Sequence, residues 1–119
     1  MITVKQHMRG RGVFATEDIQ VDQIFESAEI LIIPKDQIEF IEKTIIDDYI
    51  FVWGDTCALV LGTGMLYNHS YTPNARYIRD FDNNLMNYVA LKPILKGDEI
   101  LINYNGEPTC MDTLWFDVI

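Results

Sequence analysis

The chain has 119 residues, of which 49% are hydrophobic, and this fits one compact domain and excludes an intrinsically disordered chain. It carries 18 acidic and 9 basic residues, for a formal net charge of −9 at pH 7. An acidic field repels phosphate, so we expect no direct nucleic-acid binding, and a Lys/Arg-rich peptide is the more natural partner. Surplus acid that only keeps a small protein in solution explains the charge equally well.

No apolar run approaches the roughly 20 residues that span a bilayer, and the N-terminus lacks the apolar core of a signal peptide. We therefore expect a soluble intracellular protein without membrane contact.

Cys57 and Cys110 are too few for a disulfide framework or a four-cysteine zinc site, so we expect both to be reduced and buried. With only His7 and His69 as histidines, we predict no metal site.

The first half of the sequence predicts short strands and one helix. Alternating apolar residues indicate a first strand that ends near residues 8–12, and an extended apolar run follows at 13–15. The isoleucine-rich stretch 24–33 predicts one or two further strands. After Pro34, isoleucines at helical spacing predict a helix over about residues 37–47.

The second half predicts hairpins. Apolar runs at 49–53 and 57–61 flank Gly54-Asp55, and the runs 75–81 and 85–91 flank a turn of Asp and Asn. A strand at 99–104 follows. Many short strands with one modest helix indicate a mostly β fold.

A faint internal repetition is present. Ala15 and Ile19, followed by an isoleucine at 24, recur as Ala90 and Ile94, followed by an isoleucine at 100. The pattern suggests that strand, turn and strand are used twice, but it is too degenerate for a repeat architecture.

Two polar motifs carry most of the candidate chemistry. Residues 68–74, Asn-His-Ser-Tyr-Thr-Pro-Asn, place an imidazole, a hydroxyl and two amides in a turn closed by proline. Residues 97–104, Gly-Asp-Glu-Ile-Leu-Ile-Asn-Tyr, form an apolar strand that ends in a tyrosine. The first motif alone is more typical of a structural turn. His69 and Ser70 are sequence neighbours whose side chains diverge, so a hydrolytic pair is not expected.

Together with Gly-Arg-Gly-Val-Phe-Ala at residues 10–15, these motifs resemble the signature of the SET-domain lysine methyltransferases, closest to the minimal SET domains of large viruses and some bacteria. In that family an Asn-His-Ser-x-x-Pro-Asn segment meets a Gly-Glu-Glu-Leu-x-x-Asp-Tyr segment. The chain departs from the second segment at Asp98, Ile100 and Asn103. The resemblance implies one SET domain over residues 1–119, with a β-clip-like fold of short strands in small sheets, one short helix and a pseudoknot-like crossing.

The resemblance also implies an activity, the transfer of methyl groups from S-adenosylmethionine to lysine in a histone-tail-like basic peptide. Tyr104 matches the catalytic tyrosine of the family. We expect the C-terminal tail, Leu114-Trp115-Phe116, to close the site by packing, helped by a second subunit, because the minimal viral relatives are homodimers. The residues expected to bind the cofactor are Gly10, Arg11, Gly12, Asn68, His69 and Trp115, and those expected to line the lysine channel are Tyr49, Phe51 and Tyr67.

Other interpretations stay open at this point. Tyr104 and Tyr49 also fit half-buried aromatic residues of a core. The departures from the second motif leave room for a SET-like module that grips a basic peptide without transferring methyl groups. A third reading is a β-rich structural or assembly domain whose motifs are only turns.

Overall fold

The computed structural model describes residues 1–7 and 10–112, and in them nine strands form two sheets. The strands match the short extended runs expected from the sequence, which confirms the mostly β fold. In chain order they are β1 (Ile2–His7), β2 (Gly10–Ala15), β3 (Ile24–Ile33), β4 (Phe51–Trp53), β5 (Thr56–Val60), β6 (Asn68–His69), β7 (Ala75–Asp80), β8 (Leu85–Ala90) and β9 (Glu99–Ile102).

The two sheets share one hydrophobic core. The larger sheet is antiparallel, with strand order β4-β5-β3-β8-β7, and the smaller has the order β1-β2-β9-β6, in which β6 runs parallel to β9. Strand alternation supplies the core: Met86, Tyr88 and Ala90 of β8 are fully buried, and half-buried residues lie between them. Val13 and Ile100 bring the smaller sheet into the same core.

The one short helix is confirmed, but it is shorter than the predicted range 37–47. The α-helical part of that range is α1 (Ile38–Ile41), and 3-10 turns lie on either side at Lys35–Gln37 and Ile45–Asp48. Thr44 interrupts the helix with an extended backbone, and its hydroxyl accepts a hydrogen bond from Ile46 N and donates one to Ile41 O. No residue of these turns is buried, so no packed face stabilises a longer helix.

Within the described ranges, no helix has the length and apolarity to cross a membrane.

Both predicted hairpins are confirmed. β4 and β5 meet at Gly54, whose φ of 62° suits a tight turn, and β7 pairs with β8 along its whole length. The break expected near residues 8–12 does not extend to Gly10 and Gly12, because β2 already begins at Gly10 and Gly12 pairs with Lys5 of β1.

The cysteines are less buried than expected. Cys57 and Cys110 are both free thiols and only partly buried. Burial raises the pKa of Cys57, and the carboxylates of Asp47 and Glu42 raise it further by repelling the thiolate. Cys57 is therefore a neutral thiol at pH 7.

The internal repetition corresponds to two turns that pair with each other. Ile19 and Ile94 exchange backbone hydrogen bonds of 2.7 and 2.9 Å. Ala15 pairs with the backbone just before β9, and Ala90 pairs in the same way with the backbone just before β3. This pairing fixes the start of β9 against the end of β2.

The two polar motifs meet along β9. The backbone of Ser70 donates to Ile102 O at 2.8 Å, which extends the parallel pairing of β6 with β9. The Asn74 side chain donates to Glu99 O at 2.9 Å and accepts from Leu101 N at 2.8 Å, as a neighbouring strand would. Asn74 thus takes the place of a neighbouring strand along the first residues of β9, ahead of the short pairing with β6.

This bonding makes the amide of Asn74 a stability determinant. Asn74→Asp keeps the shape but cannot donate to Glu99 O, so we expect the free energy of unfolding to fall by about 1–3 kcal/mol in urea denaturation. Asn84→Asp makes the same chemical change at an exposed hairpin turn and should cost less than about 0.5 kcal/mol. Equal losses in the two variants would contradict the role of Asn74.

Candidate active site

A cavity of about 430 Å³ lies beside Tyr104, just past the end of β9. Three elements distant in sequence form its walls: the 3-10 turn leading into β4, the loop before β6, and β7. The expected residues Tyr49, Phe51, Tyr67 and Tyr104 all border it. The sequence did not reveal its further wall residues Asp48, Met65, Tyr77 and Arg79.

The segment that contains β6 holds Tyr104 by its side-chain hydroxyl and by its backbone N–H. Its hydroxyl donates to Tyr67 O at 2.6 Å, and its backbone N–H donates to His69 Nδ1 at 2.9 Å. Burial raises the pKa of Tyr104 to about 12, with further contributions from Tyr49 and Glu99. Tyr104 is therefore a neutral phenol at pH 7, which can orient a ligand through its oxygen but cannot act as a base.

Tyr67 borders the cavity but acts mainly on Tyr104. Its ring is 1% exposed and stacks on Tyr88 with the ring centres 4.6 Å apart. Its hydroxyl donates to Glu26 at 2.6 Å, and the other oxygen of that carboxylate accepts from Thr63 at 2.7 Å. Glu26 thus anchors the loop whose carbonyl holds Tyr104. The only sequence signal for Glu26 is an acidic residue within the apolar run of β3.

Tyr49 and Phe51 form a half-buried aromatic side of the cavity. Phe51 packs edge to face on Tyr77, with the ring centres 4.9 Å apart, and the Tyr77 hydroxyl donates to Tyr104 O at 3.3 Å. Tyr77 lies on the buried face of β7, two residues after the buried Ala75. Strand alternation could have identified it, although nothing in the sequence places it next to Tyr104.

His69 is a buried acceptor, 4% exposed. Since Nδ1 accepts the N–H of Tyr104, the neutral ring carries its proton on Nε2. Burial lowers the pKa of His69, which keeps the ring neutral at pH 7. Its side chain therefore positions the backbone of Tyr104.

A second group of polar residues lies where β2, β6 and β9 meet. The side-chain nitrogen of Asn68 donates to Arg11 O and to Glu99 Oε2, both at 2.8 Å. Both partners are acceptors, so the orientation of this amide is fixed. A Cβ on the buried Gly12 would collide with the Glu99 carboxylate and crowd the Asn68 amide. A larger residue at this position would displace the Glu99 carboxylate from its present place.

The expected cofactor residues are thus brought together in the described part of the chain. Gly10, Arg11 and Gly12 lie on β2, and Asn68 and His69 form β6, next to one another through β9. Amide, carboxylate and guanidinium groups suit the ammonium and carboxylate of an amino acid, so these residues fit that end of S-adenosylmethionine. Leu114, Trp115 and Phe116 lie outside the described residues.

Two of the three departures from the second motif have structural explanations. Ile100 is fully buried in the core. Asn103 is 3% exposed, donates to Cys110 O at 2.6 Å and accepts from Asn105 N at 3.0 Å. An aspartate could not make the first of these bonds, so the amide fastens the following segment. Neither residue borders the cavity.

Comparison with known proteins agrees with this geometry. The sequence matches the SET domain family over residues 10–105, which includes all three motifs and every wall of the cavity. The chain belongs to the SET-domain family. Its mostly β architecture of small sheets with one short helix is that of a SET domain.

Two proteins similar to this chain are described as histone methyltransferases. A histone-lysine N-methyltransferase of Schizosaccharomyces pombe, specific for H3 lysine-37, is 33% identical over 111 residues, which cover 92% of this chain and 71% of the relative. A crystal structure of a Plasmodium falciparum protein assigned as a histone methyltransferase superimposes with a TM-score of 0.69 and 32% identity, over 90% of this chain and 99% of that one. These likenesses support protein-lysine methyltransferase activity.

The buried His69 predicts a pH-dependent stability. Its folded pKa lies below the ordinary value of 6.5, so the unfolded chain takes up the proton first as the pH falls. The stabilising contribution is complete above about pH 6.5 and is lost as the pH falls through the lowered pKa. Urea denaturation from about pH 7 to 5 should show this loss.

The variant His69→Asn isolates the effect, because its side-chain oxygen can accept the Tyr104 N–H without titrating. We expect a flatter stability profile over the same pH range, with His7→Asn as the control for removing an imidazole. An unchanged slope in His69→Asn would exclude His69 as the source.

Proposed function

We propose that this SET domain transfers methyl groups from S-adenosylmethionine to a lysine side chain in a histone-tail-like basic peptide. The observation that carries the proposal is the placement of Tyr104. Its phenol faces an aromatic cavity at one end of β9, while the Gly12, Asn68 and Glu99 group lies at the other end of the same strand. The site of the methyl donor and the channel for the target lysine would therefore lie at the two ends of β9.

The residues of the polar group would hold the amino-acid end of the cofactor. We assign its carboxylate to the exposed guanidinium of Arg11 and its ammonium to the side-chain oxygen of Asn68, whose nitrogen is already bonded. When bound, S-adenosylmethionine supplies a methyl group on a sulfonium, which an uncharged amine can accept. Because Gly10 and Gly12 have no side chains, the backbone of β2 would lie close to the bound cofactor.

The cavity must favour the uncharged form of the target lysine. A free lysine titrates near pH 10.4, so deprotonation at pH 7 costs about 4.6 kcal/mol. Partial burial between Tyr49, Phe51 and Tyr104 disfavours the charged ammonium and lowers that cost. Because Tyr104 stays protonated, we assign the departing proton to water.

Tyr104 would act by orientation. Its O–H donates to Tyr67 O, which fixes the position of the phenol oxygen beside the cavity. Holding an amine in line with the methyl donor is worth up to about 7–11 kcal/mol in favourable cases. The aromatic faces of Tyr49 and Phe51 also attract the methylated, cationic product.

The charge of the chain supports a basic substrate. A net charge of −9 attracts a basic peptide, and Asp48 places a carboxylate at the cavity itself. The homodimer, the intracellular location and the absence of a metal site remain predictions of the sequence.

Incubation with labelled S-adenosylmethionine and mixed histones tests the activity directly. A module that only binds basic peptides would transfer no label. A structural domain would also show no rise in melting temperature with S-adenosylhomocysteine.

Tyr104→Phe should reduce the rate of methyl transfer by about 10²–10³-fold while the protein remains folded, because the orienting oxygen is lost. Tyr71→Phe is a matched control, since the Tyr71 hydroxyl also donates to a backbone carbonyl, Asp112 O, but does not border the cavity. Full activity in Tyr104→Phe would remove Tyr104 from its assigned role.

Asn68→Ala should weaken the binding of S-adenosylhomocysteine by about tenfold or more, because it deletes the acceptor for the ammonium and releases Glu99. Isothermal titration calorimetry measures this. Asn83→Ala, which removes an amide from an exposed hairpin turn, is the control and should bind normally. Unchanged affinity in Asn68→Ala would contradict the assigned cofactor site.

A further inference from the structure

Arg79 is a fixed cation in the wall of the cavity. It lies on β7, the edge strand of the larger sheet, and is half-buried. Its Nε donates to Val52 O at 2.6 Å, and its guanidinium carbon lies 5.5 Å from the centre of the Tyr77 ring. A backbone acceptor and an aromatic face thus hold the guanidinium in one place.

The charge of Arg79 is not neutralised within residues 1–7 and 10–112, where no carboxylate forms an ion pair with it. Arg76, on the same strand, lies 3.9 Å from Glu107. Asp48 borders the same cavity, yet it does not pair with Arg79 either. Although acidic residues outnumber basic ones 18 to 9 in the sequence, no carboxylate among the described residues pairs with the guanidinium of Arg79.

The remaining donors define what Arg79 could bind. A guanidinium carries five N–H groups in one plane; in Arg79 the Nε group is used on Val52, and the side chain also interacts with the Tyr77 hydroxyl. The other groups form a fork that matches the two oxygens of a carboxylate. A lysine or arginine side chain at the same place would be repelled.

We propose that Arg79 is a specificity residue that binds a carboxylate side chain flanking the target lysine of an otherwise basic peptide, an inference that rests on the proposed methyltransferase function. Asp48 has the opposite charge and suits a basic residue of the same peptide. The preferred sequence around the target lysine is thus of mixed charge.

Peptide binding tests the inference without requiring turnover. Fluorescein-labelled peptides with one central lysine carry Glu, Gln or Lys at one flanking position at a time, and their affinities are measured by fluorescence anisotropy. At one position we expect Glu to bind about tenfold more tightly than Gln. Arg79→Glu should reverse the order, so that Lys binds most tightly there, and Arg79→Gln should abolish the preference.

Arg76→Gln is the matched control, because it removes a positive charge from the same strand outside the cavity, and it should keep the preference for Glu. Thermal melting verifies that each variant is folded. Equal affinities for Glu and Gln at every position, or a preference that Arg79→Glu does not reverse, would overturn the inference. If the preference and its reversal hold but none of the peptides is methylated, Arg79 retains its role and the proposed activity fails.

Discussion

The hydrogen bonds that Tyr104 makes to the segment around β6 are the constraint on which the rest of the site depends. One fixes the phenol through Tyr67 O, and the other fixes the backbone through His69 Nδ1. Neither partner could take this position unless β6 lay parallel to β9. The aromatic cavity and the polar group around Gly12 are therefore arranged around a very short piece of parallel sheet.

Partly buried polar side chains hold the segments of this arrangement in place. The Glu26 carboxylate receives the hydroxyls of Tyr67 and Thr63, and Asn74 supplies both a donor and an acceptor to β9. Buried polar groups are costly unless they are paired, so these bonds specify a single position for each segment. The orientation of Tyr104 depends on the Glu26 bonds, because Glu26 holds Tyr67, whose carbonyl accepts from the Tyr104 hydroxyl.

Much of this could be predicted from the sequence, because motifs and alternation are local signals. The three motifs identified Tyr104, Asn68 and the glycines of β2, and strand patterns identified both hairpins. The helix was overestimated because isoleucine spacing does not show whether a face will be buried, and here Ile45 is 73% exposed. Tyr77, Arg79 and Glu26 were missed, since their importance arises from neighbours remote in sequence.

The parallel pairing of β6 with β9 also has a consequence for the order of folding. Each hairpin joins residues close in sequence, whereas Asn68 must find Leu101 across the whole β7–β8 hairpin. Closing that loop costs conformational entropy before the contact contributes any stabilising free energy. Pairings of this kind therefore form slowly. We therefore expect the nascent chain to acquire its hairpins first and to assemble its cavity last, when the C-terminal strand docks.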